Sequence, residues 1–298
     1  MIFKKKQTYQ QHDNEIGSFY KSSIQTFKNK EILENNLNID ICVIGGGLTG
    51  ISTALHLAQG GYSVALFEAR TLGAGASGRN GGQLGIGMRK DQFFLEKLLG
   101  LEHARELWKL GLEAVELSKE LISRYNIDCS LKNGVVSACY SKKESDDFLY
   151  EIEHMNKNYD FDGYHYLDKR RINEEINTNL YNSGILNTYS YHINPLKFLF
   201  GLANQLLKLN VKIYENTPIT KILNDKEGVK LFTNSKVIKT NKVIVGCNGY
   251  LDKLLGNIRN KFMPINNYII ATESLGESKA KEIIKNNYAV VDTRFIID

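Results

Sequence analysis

Two glycine-rich stretches hold the residues best suited to chemistry. The first, "GGGLTG" (Gly45 to Gly50), follows the apolar run "IDICVI" and opens a segment with apolar residues at helical spacing. Gly45, Gly47 and Gly50 stand in the order G-x-G-x-x-G. The first glycine permits a tight turn, the second lets the backbone approach a pyrophosphate, and the third lets the helix pack close to a sheet. An anion placed there meets free N–H groups and the positive end of the helix dipole. Glu68 lies 23 positions after Gly45, at the end of the next apolar run. A carboxylate at that place accepts hydrogen bonds from ribose hydroxyls and repels a 2′-phosphate. The pattern indicates an adenine dinucleotide, NAD or FAD, and argues against NADP.

The second stretch, "RTLGAGASGRNGGQLG", holds six glycines between Arg70 and Gly85, with Ser77, Arg79, Asn80 and Gln83 among them. A plain NAD domain has no need of it after its second strand. FAD is longer, because a ribityl chain and a three-ring flavin lie beyond its diphosphate. Glycines allow the backbone near those parts, and Ser, Asn and Gln can hydrogen-bond them. The other reading is a flexible surface loop.

These loops require elements to hold them. "IDICVIG" and "YSVALFEA" read as strands buried on both faces, joined by a helix over "LTGISTALHLAQ" that stops at Gly60–Gly61. Residues 91–125 read as helices broken at Gly100. "DCSLKNGVVSACY" reads as a hairpin turning at Asn133–Gly134. Ser141 and Glu144 have capping-box spacing before a helix. Asp168 can cap a further helix, and Asn194–Pro195 opens another. "ITKILNDKEGVKLFTN" reads as a hairpin. "KVIVGCNGY", "NNYIIATESL" and "AVVDTRFIID" read as strands, the last two flanking a helix over "ESKAKEIIKNN". Strands of βαβ type framing hairpin-rich insertions fit an α/β nucleotide domain interleaved with a mixed α+β domain.

Composition narrows the function classes. The 298 residues suggest one large or two ordinary domains. The net charge of +5 comes from scattered lysines with no basic block interleaved with aromatics, so nucleic acid is not an expected partner. The four cysteines, Cys42, Cys129, Cys139 and Cys247, form no CxxC pair and read as reduced thiols of a cytoplasmic protein. No clustered Cys/His set suggests a metal. The most apolar window, residues 39–58, is interrupted by Asp40 and glycines, so no membrane span is expected.

The run "VIGGGLTGISTALHLAQGGYSVALFEARTLGAGASGRNGGQ" resembles the N-terminal signature of the FAD-dependent D-amino-acid-oxidase-like oxidoreductases. Within that family it is similar to the gamma-glutamylputrescine oxidoreductase branch. "SFYKSS", "RYNIDCSLKNGVVSA", "YHINPLKF" and "VIVGCNGYL" extend the resemblance over nearly the whole chain. It implies a Rossmann-type FAD-binding domain interleaved with a mixed α+β substrate domain. The expected division is an arm over 1–38, an FAD-binding domain over 39–125 and 192–255, and a substrate domain over 126–191 and 256–298. It implies FAD held by Gly45, Gly47, Leu48, Thr49 and Gly50, by Glu68, Ala69 and Arg70, and by Ala76, Ser77, Arg79, Asn80, Gly81, Gly82 and Gln83, with Gly246 and Gly249 approaching from a further strand. It also implies oxidation of a C–N bond. Hydride passes from the carbon beside an amine nitrogen to flavin N5, the imine hydrolyses, and oxygen or another acceptor reoxidises the flavin.

This chemistry needs no general base, and no residue stands out as one. His192 reads either as a residue lining the site or as a packing residue before the Asn194–Pro195 helix start. The tyrosines of "TYSYH" and "DGYHYL" read as an aromatic substrate wall or as strand packing. The substrate is expected to be a small amine, gamma-glutamylputrescine-like, with glycine, sarcosine or a D-amino acid as alternatives. Members of the family run past 298 residues, and "VVDTRFIID" is an apolar run with no polar tail. The expectation is therefore a C-terminally truncated or split chain, paired with a separate C-terminal polypeptide or surviving as a non-catalytic dinucleotide-binding remnant.

Overall fold

The computed structural model describes residues 17–28, 31–226, 228–251, 254–259, 261–263, 265 and 267–294. In chain order the first half runs α1 (Phe19–Ser23), β1 (Leu37–Ile44), α2 (Leu48–Gln59), β2 (Val64–Phe67), a 3-10 turn (Ala76–Gly78), β3 (Gln83–Leu84), α3 (Gln92–Leu99), α4 (Leu101–Arg124), β4 (Lys132–Cys139), α5 (Lys142–Tyr159) and β5 (Tyr164–Leu167). It continues α6 (Lys169–Glu175), β6 (Ser183–His192), α7 (Pro195–Lys208), β7 (Lys212–Tyr214), β8 (Lys221–Asp225), β9 (Gly228–Phe232), β10 (Val237–Val245), a 3-10 turn (Asn248–Tyr250), α8 (Gly256–Arg259), α9 (Gly276–Ile283) and β11 (Ala289–Asp292). The chain forms two compact units, Met1–Asn80 with Pro195–Ile269 and Gly81–Asn194 with Ile270–Asp298.

The first unit is built on a six-stranded sheet in the order β7-β2-β1-β10-β9-β8. β1 is central and parallel to both β2 and β10, and β7 adds in parallel beside β2. All four residues of β2 are buried, as befits a parallel strand covered on both faces. α2 and α7 pack against each other and on this parallel part. Ile51, Ala54 and Leu55 of α2 and Leu196, Leu199, Leu202 and Leu206 of α7 are buried. Cys42, Ile44, Ala65, Phe67, Tyr214, Leu231 and Ile238 form another apolar cluster of this unit. The βαβ reading and the β8–β9 hairpin both stand.

The second unit is built on a sheet in the order β11-β4-β6-β3, with β5 also pairing β6. Here α3 and α4, split at Gly100, group with the second sheet. Trp108 of α4 is buried against Met155 and Phe161, and Gly111 of α4 lets the helix close on the backbone of Gly87. Residues 81–125 thus lie with the second unit, whereas the sequence division put them with the first. The arm also differs: it contains α1, and β1 already begins at Leu37. The capping box of Ser141 and Glu144 forms, and Asp168 caps α6.

Two expected elements differ. Asn133–Gly134 is not a hairpin turn. Both residues lie inside β4, which pairs antiparallel with β6 and shifts register between Asn133 and Val135. Gly134 has φ +104, and a side-chain carbon there would lie 2.3 Å from the Tyr288 ring, so its left-handed backbone makes a bulge rather than a reversal. "NNYIIATESL" is not a strand: its described residues carry no strand, and Tyr268 and Ile270 are exposed. A strand exists only where a ladder partner takes up its backbone groups. Phe295 to Asp298 lie outside the described residues.

Candidate functional site

β1 delivers Gly45 at the centre of the first sheet. Its N–H bonds Phe67 O at 2.8 Å, while Gly246 N–H at the end of β10 bonds Ile44 O at 2.7 Å. Gly45 has φ +111, and a side-chain carbon on it would sit 2.6 Å from Gly246 O. The turn therefore needs glycine for its conformation and for the approach of β10. A carbon at Gly50 would lie 1.9 Å from Gly45 O, which fixes the close start of α2. Gly47 is its N-cap and offers no side-chain cap. Leu48 is the first helical residue, and Thr49 beside it is exposed.

The second loop folds directly onto the first. Ser77 Oγ accepts the Leu48 N–H at 3.0 Å, and a side-chain carbon at Gly47 would lie 2.9 Å from that oxygen. Gly73 N–H bonds Gly46 O at 3.0 Å. Glu68 joins the two loops: Oε2 accepts Gly46 N–H at 2.6 Å and Oε1 accepts Arg70 N–H at 2.8 Å. A carboxylate has about four lone-pair sites, so two main-chain donors leave capacity for ribose hydroxyls. Ala69 and Ala76 are exposed. Arg79 Nε folds back to Ala74 O at 3.0 Å. Asn80 Nδ2 donates to Ala76 O at 3.1 Å and to Ser77 O at 3.2 Å.

Three residues that the sequence did not single out belong to this structure. Glu215, just after β7, accepts the Leu72 N–H on Oε1 at 2.6 Å. Burial raises its carboxyl above the ordinary range, the Leu72 bond opposes that, and the nearby Glu68 charge adds to it. Tyr250 lies in the 3-10 turn that also holds Gly249. Its ring lies under the Arg70 guanidinium, 5.6 Å from the ring centroid, and over Gly75, where a side-chain carbon would be 3.1 Å from it. Tyr20 OH donates to Asn80 O at 2.9 Å. The available signal for Glu215 and Tyr250 was their place just beyond a strand or glycine-containing segment; Tyr20 had no such signal. Cys247, beside Gly246, is pushed up to about 11 by burial and by Glu68, and Cys42 to about 12 by burial. Both are protonated thiols without nucleophilic character.

Gly81, Gly82, Gln83 and His192 belong to the second unit. Gly82 O accepts the Ile193 N–H at 2.8 Å, and β3 places Gln83 opposite His192 of β6. His192 Nε2 lies 2.7 Å from Asn287 O. A carbonyl only accepts, so Nε2 carries the hydrogen, and the histidine ties β6 to the turn before β11. Tyr164 and Tyr189 of the tyrosine-rich stretches both meet Phe161 edge-on, and Tyr189 is exposed. Among the described residues no cluster of His, Cys, Asp or Glu could hold a metal ion, and no helix is long and apolar enough to cross a membrane.

The donor set of the first unit fits a dinucleotide. A side-chain-free turn leads into a helix N-terminus, with a carboxylate at the end of the next strand and a hydroxyl on the first helical N–H. Comparison with known proteins points the same way. The family model described as DAO, FAD dependent oxidoreductase, matches residues 40–297. A probable oxidoreductase OrdL of Haemophilus influenzae is 30% identical over 295 residues, covering 97% of this chain and 68% of its own length. Gamma-glutamylputrescine oxidoreductase of Escherichia coli is 33% identical over 286 residues, covering 95% of this chain and 66% of its own. The chain thus spans about two thirds of the length of these relatives. A crystal structure of glycine oxidase from Geobacillus kaustophilus superposes with TM-score 0.60 at 23% identity, covering 74% of this chain and 58% of that one. L-proline dehydrogenase from P. horikoshii gives TM-score 0.60 at 20% identity, covering 87% and 65%. These two show a shared fold. The matches lend no support to a separate C-terminal polypeptide.

Proposed function

Because the chain belongs to the DAO family of FAD-dependent oxidoreductases, we propose that its paired loops hold FAD and that it oxidises the C–N bond of a small amine or amino acid. The observation that carries this reading is Glu68, whose two oxygens bind Gly46 of the first loop and Arg70 at the entry to the second. One carboxylate thereby makes a single cradle of two loops, which a cofactor longer than NAD requires.

In this reading Gly47, Thr49 and Gly50 present main-chain donors to the diphosphate at the α2 N-terminus, while Gly45 and Leu48, whose N–H groups bond Phe67 O and Ser77 Oγ, shape the turn. Gly246 keeps the floor of the turn free of side chains, and the role of Gly249 rests on the resemblance. Glu68 accepts the ribose hydroxyls, with Ala69 and Arg70 at the adenosine end. Ser77, Arg79 and Asn80, with Ala76, carry the loop onward. The roles of Gly81, Gly82 and Gln83 rest on the resemblance. When bound, FAD supplies the hydride acceptor. The protein's part is to hold the amine in a neutral, oriented state and to keep water from the reacting carbon.

The substrate proposed is gamma-glutamylputrescine-like, on the 33% identity with the Escherichia coli enzyme. Anaerobic mixing of the FAD-loaded chain with gamma-glutamylputrescine, glycine, sarcosine and a D-amino acid tests it, with flavin bleaching as the readout. Fastest bleaching by gamma-glutamylputrescine is expected. Fastest bleaching by an amino acid would move the substrate assignment, and bleaching by none would refute the activity.

A further inference from the structure

The N-terminal arm touches the cofactor cradle. Ser18 caps α1 by accepting the Lys21 N–H at 3.1 Å, and the hydroxyls of Ser22 and Ser23 donate to the carbonyls of Phe19 and Tyr20. The turn is held at its far end by Phe27, which is 8% exposed and packs on Phe200 of α7 with ring centroids 5.4 Å apart. Between these anchors Tyr20 is half-buried, and its hydroxyl reaches the Asn80 carbonyl, 60 residues along the chain, at 2.9 Å. Burial raises its pKa, which keeps the hydroxyl a donor.

Asn80 is itself tied inward. Its amide holds Ala76 O and Ser77 O, and Ser77 Oγ holds the Leu48 N–H at the start of α2. An unbroken series of hydrogen bonds therefore runs Tyr20, Asn80, Ser77, Leu48, from the arm to the helix terminus that would receive the diphosphate. The floor of the same loop is α7: a side-chain carbon at Gly73 would lie 2.5 Å from Leu196, and one at Gly78 3.3 Å from it. The loop is thus supported beneath by α7, beside by the first loop, and by the arm through Tyr20.

We infer that Tyr20 is a positioning residue for the cofactor, and that the arm is a strap setting the second loop against the first. This rests on the reading that the paired loops hold FAD. The test is Tyr20→Phe, which keeps the ring and removes the hydroxyl. Three quantities are followed in the 298-residue chain: amide hydrogen exchange of residues 73–80 without FAD, FAD affinity by quenching of flavin fluorescence, and the thermal midpoint. Loss of one hydrogen bond predicts loop exchange faster by about 3- to 10-fold and FAD affinity weaker by a similar factor. The midpoint should fall by only about 1–5 °C, as one lost hydrogen bond gives, and the loss of FAD affinity is the readout that a merely structural role would not move. Ser18→Ala, which frees the α1 cap, should shift exchange and affinity the same way by less. Unchanged loop exchange in Tyr20→Phe would overturn the inference, as would faster exchange with unaltered FAD affinity. A wild-type chain that binds no FAD would instead overturn the cofactor reading on which it stands, whatever the exchange shows.

Discussion

Glu215 and Glu68 place two carboxylates in one corner of the first unit, and each is fastened to main-chain N–H groups rather than to a cation. Glu215 titrates above its ordinary value because of burial first and the Glu68 charge second. For a carboxyl raised in the folded state, the native protein holds more protons than the unfolded chain between the two values. Its contribution therefore turns unfavourable as pH climbs from the ordinary value of 4.5 through the raised one. Glu215→Gln keeps an acceptor for Leu72 and removes the charge. Its thermal midpoint should exceed that of the wild type at pH 7.5, and the gap should close by pH 4; a gap that is constant with pH would contradict this assignment. At this scale the sequence was readable where backbone needs are absolute. Gly45 and Gly50 are dictated by distances of 2.6 and 1.9 Å to backbone oxygens, and G-x-G-x-x-G spacing encodes those distances. Glu215 was not readable, because its bond to Leu72 spans 143 residues and exists only once β7 lies beside β2.

α7 is the element on which the second loop depends. Leu199 is fully buried and lies beneath Gly73, where a side-chain carbon would be 3.5 Å from it. Leu199→Ala should cost about 2–5 kcal/mol in urea unfolding, the usual range for a buried leucine. A cost below about 1 kcal/mol would show that the helix does not bear on this core. The βαβ core was legible because a buried parallel strand has no polar face and reads as a continuous apolar run, as "VALF" does. The bulge at Gly134 and the lack of a strand in the described residues around Tyr268 were not. Asn–Gly serves turns and bulges alike, and an apolar alternating run becomes a strand only if a neighbour pairs with it. His192 shows the same limit: its place before α7 was visible, while its tie to Asn287 depends on a segment 95 residues away.

At the scale of the whole molecule, the two units are each built on one sheet, and the residues expected to hold the cofactor divide between them at Asn80–Gly81. The first unit contains Gly45, Gly47, Gly50 and Glu68, the residues proposed to hold the adenosine and diphosphate. The family match over residues 40–297 makes FAD the cofactor of the group to which the chain belongs. The central claim is that two loops joined by Glu68 select FAD over the shorter NAD. Titration of the purified chain with FAD and, separately, with NAD by isothermal calorimetry tests this most directly. The account predicts saturable, stoichiometric binding of FAD, weakened at least 10-fold by Glu68→Ala through loss of hydrogen bonds to a charged group, and no comparable binding of NAD. Binding of NAD without FAD, or FAD binding indifferent to Glu68→Ala, would contradict it.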